Sequence, residues 1–312
     1  MSAAPRVTAV VVTWNRKALL LECLECLRRQ TAKADILVVD NASTDGTGEA
    51  LRPMIEAGEI AYVNTGKNLG GAGGFQFGVK AAVEAGCDYV WIMDDDSMPT
   101  PTALEALLNA AWEIGDFGWL SGKTLWSDGS LCRMNVQRNM KLGNIADFSA
   151  PRIPSAAATF VSLLVPAKVV REVGLPIGEF FIWADDLEYT RRISLKHPCY
   201  VIQASVTVHK CATNNGGNIA TDQPERIDRY RCAYRNEVYV YRREGWPGVR
   251  RLLLRTPLHI FRVLTKSKGQ KGKRIRVILG STIEGIGFRP SIEYLNDDQK
   301  PSPSGEGGAA QP

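Results

Sequence analysis

Three short apolar runs, at 7–13, 36–39 and 89–93, each break off into polar residues, and helix-period sequence separates them. Continuous β-branched runs of this kind suit parallel strands buried on both faces. Between the first two, Leu20, Leu24 and Leu27 share one helical face. A second helix is expected near 47–57, a short strand at 60–63, a glycine-rich loop at 66–74 and a helix at 75–86. The alternation predicts an α/β fold in which a Rossmann-like, mainly parallel sheet is flanked by helices. Such sheets bind ligands beyond the carboxyl ends of their strands. Thr13, Asn15, Asp40, Asn41 and the triplet Asp94, Asp95 and Asp96 follow strands and are therefore the first candidates.

Beyond residue 120 the pattern loosens. Strands and turns are expected at 120–138, a mobile loop at 139–158, a strand at 159–165, a helix at 166–172 and a last strand at 200–208. Residues 222–243 and 246–265 read as helices. The expected division is a catalytic domain at 1–215, a basic helical region at 216–295 and a disordered tail at 296–312, where Pro, Ser, Gly and charge dominate.

With 45% hydrophobic and 23% charged residues, the 312-residue chain has the balance of an ordinary globular protein, which excludes wholesale disorder and a membrane-embedded class. The net charge of +5 conceals an asymmetry: residues 226–289 carry 17 Lys or Arg against 4 Asp or Glu. That imbalance points to an anionic partner such as phospholipid, lipid diphosphate or nucleic acid. Seven cysteines form no paired framework, and the odd count fits a reducing compartment. Cys23 and Cys26 make one C-x-x-C inside a helical stretch with no second pair, too few ligands for a structural zinc site. No basic segment followed by an apolar run opens the chain, and no stretch nears the roughly 20 apolar residues that span a bilayer. The protein is expected in the cytoplasm, peripheral on the inner face of the cell membrane.

Three adjacent carboxylates repel one another, and a divalent cation relieves that repulsion. In an extended stretch Asp94 and Asp96 would point to one side, toward metal and nucleotide, and Asp95 to the other, toward sugar or ribose. His209, at the end of the last strand, would complete a mixed carboxylate and imidazole metal site. The string Asn68-Leu69-Gly70-Gly71-Ala72-Gly73-Gly74 permits close backbone approach to a ligand, and a helix N-terminus behind it would favour phosphate. A second acidic group, Asp185 and Asp186, opens a helix. Its bland reading is capping; its functional reading is a general base that deprotonates an acceptor hydroxyl.

Four motifs in this order resemble glycosyltransferase family 2: Val10-Val11-Val12-Thr13-Trp14-Asn15-Arg16, Val38-Val39-Asp40-Asn41-Ala42-Ser43-Thr44-Asp45, the aspartate triplet, and Trp183-Ala184-Asp185-Asp186-Leu187-Glu188-Tyr189. The resemblance covers about residues 5–212 and implies a GT-A fold and inverting transfer from a nucleotide-diphosphate sugar. Within the family, the glycine string and the triplet look most like bacterial galactofuranosyltransferases acting on polyprenyl-diphosphate-linked glycans, which implies UDP-galactofuranose as donor. By the same resemblance, Thr13, Asn15 and Asp40 hold uridine, with Arg16, Asn41, Asn68, Gly70, Gly71, Gly74, Asp94 and Asp95 completing the donor site. Asp94, Asp96 and His209 hold Mn2+ or Mg2+; Asp186 or its neighbour Asp185 is the base; Trp183 and Glu188 meet the acceptor. Ala184 separates Trp183 from the aspartates, where some galactofuranosyl enzymes have the three adjacent. Rhamnosyltransferases using dTDP-rhamnose share most of these motifs.

The segment 250–274 alternates cations with Leu, Ile and Phe, as an interfacial helix on an anionic membrane would, and this would bring the enzyme to a lipid-linked glycan acceptor. A nucleic-acid-binding module is the rival from another class, but no nucleic-acid motif accompanies the basic patch, and no nucleic-acid partner is expected. A nucleotidyltransferase, with similar architecture and metal carboxylates, would consume NTP rather than a nucleotide sugar.

Overall fold

In the computed structural model, which describes residues 4–295, β1 (Val7–Thr13) is buried along its whole length. β2 (Asp35–Asp40) pairs with it in parallel, β3 (Ala61–Asn64) extends that half of the sheet, and β4 (Tyr89–Asp94) lies in parallel on the other side of β1. Alternate residues of these strands feed two cores. Val10, Val12, Leu37, Val39, Val90 and Ile92 enter one; Ala9, Val11, Ile36, Val38, Trp91 and Met93 enter the other. The second is covered by α1 (Lys17–Arg28), α2 (Thr47–Glu56) and α4 (Ala103–Ile114), the first by α3 (Gly70–Glu84), α5 (Ala167–Val173) and α6 (Asp185–Ser194).

The far half departs from the expected parallel arrangement. Its strands are β5 (Ser97–Pro99), β6 (Leu120–Trp126), β7 (Arg152–Pro154), β8 (Val161–Pro166) and β9 (Tyr200–His209). The sheet runs β3-β2-β1-β4-β8-β6-β9-β5, with β7 paired to β9 off that path. β8 is antiparallel to both β4 and β6, β5 is antiparallel to β9, and β6 and β9 run in parallel. The α/β class holds, in a mixed sheet.

Two further expectations are corrected. Residues 139–158 are not a loose loop: Arg138 bridges Asn144 and Ala157, and Ile145 and Phe148 pack on Val201 of β9. The glycine string is not a loop either, since α3 begins at Gly70. A Cβ on Gly74 would stand 2.5 Å from Val12 Cγ1, and one on Gly78 would overlap Val10 Cγ1. These two glycines let α3 lie directly on β1. Gly70 alone in the string has a positive φ, of 72°.

The basic helical region is no appended module. α7 (Tyr230–Arg242) sends Tyr239, Val240 and Tyr241 into a core shared with Ala72, Ile177, Phe180 and Leu187. α8 (Gly245–Lys266) and α9 (Lys271–Gly287) pack on α7, and the chain then returns to α3, where Lys80 pairs with Glu293 at 2.6 Å. α4, and α9 beginning within the basic run 266–274, are helices beyond those expected from the sequence. The tail expected at 296–312 lies outside the described residues.

The packing of α3 on β1 gives a direct test. Gly78→Ala should destabilise the fold by about 1–2 kcal/mol despite better helix propensity, because its methyl has no room. Gly71→Ala, whose nearest neighbour would be a Phe75 ring carbon at 4.0 Å, should be neutral or gain about 0.5 kcal/mol. Urea unfolding of both variants decides it; equal stabilities would remove the close-approach argument.

Candidate active site

The parallel registry of β1 and β4 sets Val12 beside Asp94, so Thr13 and the aspartate triplet emerge at the same sheet edge. The triplet is not extended. Asp95 and Asp96 form a tight turn between β4 and β5, and the turn, rather than strand alternation, separates their side chains. Asp95 turns back to Thr13, whose Oγ1 donates to it at 2.7 Å, while Asp94 and Asp96 face His209. β5 pairs Ser97 with His209 on β9, which brings the imidazole to the turn.

His209 is held from both sides. Its Nε2 lies 2.9 Å from Asp96 Oδ1, and its Nδ1 lies 2.8 Å from Asn135 Oδ1. A carboxamide oxygen can only accept, so Nδ1 carries a proton, and Nε2 meets the carboxylate either as a second N–H donor or, with its lone pair free, across a cation. Two acceptors that close need a proton or a cation between them. Ligand atoms of Asp94, Asp96 and His209 all lie within 4.8 Å of one another, and two oxygens with one imidazole nitrogen suit Mn2+ or Mg2+. These residues fit the ion.

The electrostatics express the same strain. Burial, then the charges of Asp96 and Asp95, push the Asp94 carboxyl well up. Burial lifts Asp95 to about 6 against the pull of Arg16 and Thr13. For Asp96 burial also works upward, but the hydrogen bond and charge of His209 and the charge of Arg16 outweigh it and hold the carboxyl low. Arg16 bridges the turn, 2.6 Å from Asp96 Oδ2 and 3.3 Å from Asp95 Oδ1.

The second acidic group arrives on a strained segment. Phe181, Trp183 and Ala184 have φ of 64°, 68° and 64°, a region that costs non-glycine residues about 1–3 kcal/mol each. Asn236, fully buried on α7, holds the segment: its Nδ2 donates to the carbonyls of Phe180, Ile182 and Trp183 at 2.9, 3.2 and 2.9 Å. Asp185 and Asp186 then open α6. Burial and the charge of Asp186 raise the Asp185 carboxyl, and burial raises Asp186 as well, with Arg138 pulling it down. Asp185 lies close enough to Asp94 to raise it further. Asp186 lines a polar cavity of ≈ 230 Å³ with Arg133, Arg138, Asn144 and Thr159. A larger hollow on the outer face of α3 contains none of these carboxylates.

Other expected residues gather at the same edge in supporting positions. Asn15 Oδ1 accepts from the Thr44 amide at 2.7 Å, and its own backbone amide donates to Ser43 Oγ at 2.8 Å, which stitches the ends of β1 and β2. Asp40 is 1% exposed and accepts from Tyr62 Oη and the Ser43 amide. Asn41 donates to the Gly70 carbonyl, and Asn68 caps the Gly70 amide, so both fix the start of α3; Gly71 follows inside its first turn. Gly74 is buried against Val12 and Asn41. Trp183 packs on Tyr230, with Arg229 over its ring. Glu188 corrects the acceptor expectation: its carboxylate is buried in an ion pair with Arg192 at 2.9 Å, so it does not reach the cavity.

Asn135, Arg138 and Asn236 were not anticipated. Asn236 had one signal, a carboxamide among the aromatic and apolar positions of 230–241; Asn135 and Arg138 come from a stretch without periodicity. Asn236→Asp would turn an acceptor oxygen toward three carbonyls. Its expected effect is a loss of about 2 kcal/mol, or roughly 30-fold, in kcat with donor KM little changed. A folded variant with full kcat would show that the strained segment holds itself.

Residues 8–117 match the family model described as Glycosyl transferase family 2. The chain is 30% identical to the galactofuranosyltransferase GlfT1 of Mycobacterium tuberculosis over 263 residues, covering 79% of this chain and 84% of that one. The undecaprenyl-phosphate mannosyltransferase of Micrococcus luteus is 35% identical over 113 residues, 34% of this chain and 44% of its own. Among solved structures, the mannosyltransferase PcManGT from Pyrobaculum calidifontis, in complex with GDP-Man and Mn2+, superposes with a TM-score of 0.53 at 17% identity, covering 92% of this chain and 76% of that one. That likeness supports the GT-A fold. With its sheet, its acidic strand ends and its near-full-length relatives in agreement, the chain belongs to glycosyltransferase family 2 and is a glycosyltransferase.

Proposed function

We propose that this enzyme transfers galactofuranose from UDP-galactofuranose, with inversion, to a glycan carried on a polyprenyl diphosphate. The observation that carries the mechanism is the separation of the two acidic groups: Asp186 lines the polar cavity, while Asp185 lies toward Asp94. Asp186 is the base. It takes the proton of an acceptor hydroxyl as the acceptor oxygen bonds to the anomeric carbon and the bond to the diphosphate breaks. Arg16, already beside Asp96, is placed to meet the departing charge. Asp94, Asp96 and His209 would hold Mn2+ or Mg2+, which supplies Lewis-acid stabilisation of the diphosphate. The donor rests on the mycobacterial relatives, the lipid carrier on the undecaprenyl-phosphate relative, and the divalent ion on the Asp94, Asp96 and His209 cluster, with the Mn2+ complex of the mannosyltransferase in agreement.

The helices support a location at the membrane. No helix among the described residues is long and apolar enough to cross one. On α8, however, Leu254, Leu258 and Phe261 stand in one stripe, 63%, 46% and 62% exposed, and the helix also carries Arg250, Arg251 and Lys266. An in-plane amphipathic helix has this composition. Leu254→Glu with Phe261→Glu should lower binding to anionic phospholipid vesicles by at least about tenfold, since each buried side chain contributes roughly 1.5–3 kcal/mol. Unchanged co-sedimentation would sink the membrane assignment.

Turnover of UDP-galactofuranose on a polyprenyl-diphosphate-linked acceptor tests the donor, and turnover of dTDP-rhamnose instead would overturn it. Asp186→Asn should lose about 10²- to 10⁴-fold in kcat and still bind UDP. Asp96→Ala should lose metal-dependent UDP binding; intact turnover in both variants would remove the site assignment.

The raised carboxyls add a pH signature. Burial favours their neutral form, so each stabilises the metal-free fold while protonated and loses that contribution as pH rises through its folded value, about 6 for Asp95. A cation offsets the ionised cluster. The rise in Tm with Mn2+ should therefore be larger near about pH 8 than near about pH 5. A shift independent of pH would place the ion elsewhere.

A further inference from the structure

His209 belongs to two clusters. Its Nε2 faces Asp94 and Asp96, and its other side faces sulfur: Cys132 Sγ lies 3.9 Å from Nδ1, and Cys132, Cys211 and His209 each offer a ligand atom within 4.8 Å of the others. The topology makes this meeting. β6 and β9 run in parallel with Trp126 beside His209, and the chain after β6 turns back so that the Cys132 amide donates to the Thr124 carbonyl. Cys211 follows His209 by two residues, with its carbonyl tied to Trp126 Nε1 at 2.9 Å. Cys132 is fully buried and Cys211 half-buried, so an ion has an entry side.

We propose that Cys132, Cys211 and His209 Nδ1 form a second cation site, selective for a thiophilic divalent ion such as Zn2+, whose occupation excludes the oxygen-preferring ion from Asp94, Asp96 and His209. Two sulfurs and one imidazole nitrogen are a zinc donor set, and three protein ligands leave a fourth position for water. Zinc sits about 2.3 Å from sulfur and about 2.0 Å from nitrogen, which puts tetrahedral ligand atoms roughly 3.5–3.8 Å apart. The present spacings, up to 4.8 Å, need to close by at most about 1.3 Å to reach that geometry.

The exclusion follows from one proton. Without a thiophilic ion, Nδ1–H donates to Asn135 Oδ1 and leaves the Nε2 lone pair for the ion at Asp96. An ion on Nδ1 needs that lone pair, so the ring proton moves to Nε2 and points at Asp96, and the thiols of Cys132 and Cys211 release their protons to solvent. A neutral imidazole has one lone pair to give. Zn2+ would therefore inhibit by withdrawing His209 from the catalytic ion, an extension that rests on the metal reading above.

Cd2+ and Co2+ titrations of the purified protein test the site by thiolate-to-metal charge-transfer absorption, which needs no activity. One equivalent should give a saturable band that loses at least tenfold in affinity in Cys211→Ser, a half-exposed position, and likewise in Cys132→Ser. No band, or a band unchanged in Cys211→Ser, would overturn the proposal. Zn2+ should weaken Mn2+ binding, followed by the electron-spin signal of free Mn2+, at least tenfold in the natural protein and not in Cys211→Ser; equal Mn2+ affinity with and without Zn2+ would overturn the exclusion. A protein that bound no Mn2+ at all would count against the catalytic metal reading, while the thiolate band would still decide this one.

Discussion

Five carboxylates, Asp94, Asp95, Asp96, Asp185 and Asp186, are buried where the sheet ends, and that burial, with the repulsion among them second, governs the rest of the site. Each partner found nearby answers it. Thr13 and Arg16 take Asp95, Arg16 and His209 take Asp96, and Arg138 tempers Asp186. Asp94 makes no ion pair among the described residues, and burial with the charges of Asp96 and Asp95 pushes its carboxyl well up against the more distant pull of Arg16. A cation on Asp94, Asp96 and His209 would relieve it directly. The arrangement is thus poised rather than relaxed: burial that would serve a folded protein poorly keeps these groups responsive to the ligand that neutralises them.

Such a cluster needs a scaffold that does not yield. The strand ends supply half of it, because six consecutive paired residues fix β1 against β4. The other half is the segment 180–184, whose backbone is unfavourable on its own and is held by the Asn236 carboxamide and the Arg235 guanidinium of α7 and by the Ala72 amide of α3. Asn236 makes the basic helical region a support of the candidate active site. The same α7 contributes Tyr241, whose hydroxyl receives Arg138 at 2.9 Å, so one helix supports both the approach to α6 and the cation beside Asp186. Truncation at residue 215 would therefore remove the support of the proposed base along with the proposed membrane contact.

The legible parts of the sequence were those with a period or a motif at a fixed place. Continuous runs such as 7–13 announce strands because burial on both faces leaves no alternative, and the aspartates after them follow from the strand ends. The glycines at 70–78 misled because composition cannot tell a ligand-facing loop from a helix pressed on a strand; Val10 and Val12 across the interface decide it. Glu188 misled for a related reason, since a carboxylate in the first turn of a helix looks alike whether it meets a ligand or Arg192. Asn135 and Arg138 were illegible because they act through contacts 74 and 103 residues away along the chain.

His209 shows how narrowly the chemistry is set. Its placement depends on β5, a three-residue antiparallel strand, and its tautomer depends on Asn135, in the irregular stretch between β6 and β7. Neither element belongs to the repeated strand and helix pattern that defines the fold. The parallel half of the sheet thus supplies a rigid platform, while which nitrogen of the proposed metal ligand is free to bind is decided by the antiparallel half. A change at Asn135 would leave the fold and the carboxylates in place and still alter which side of the imidazole can bind a cation.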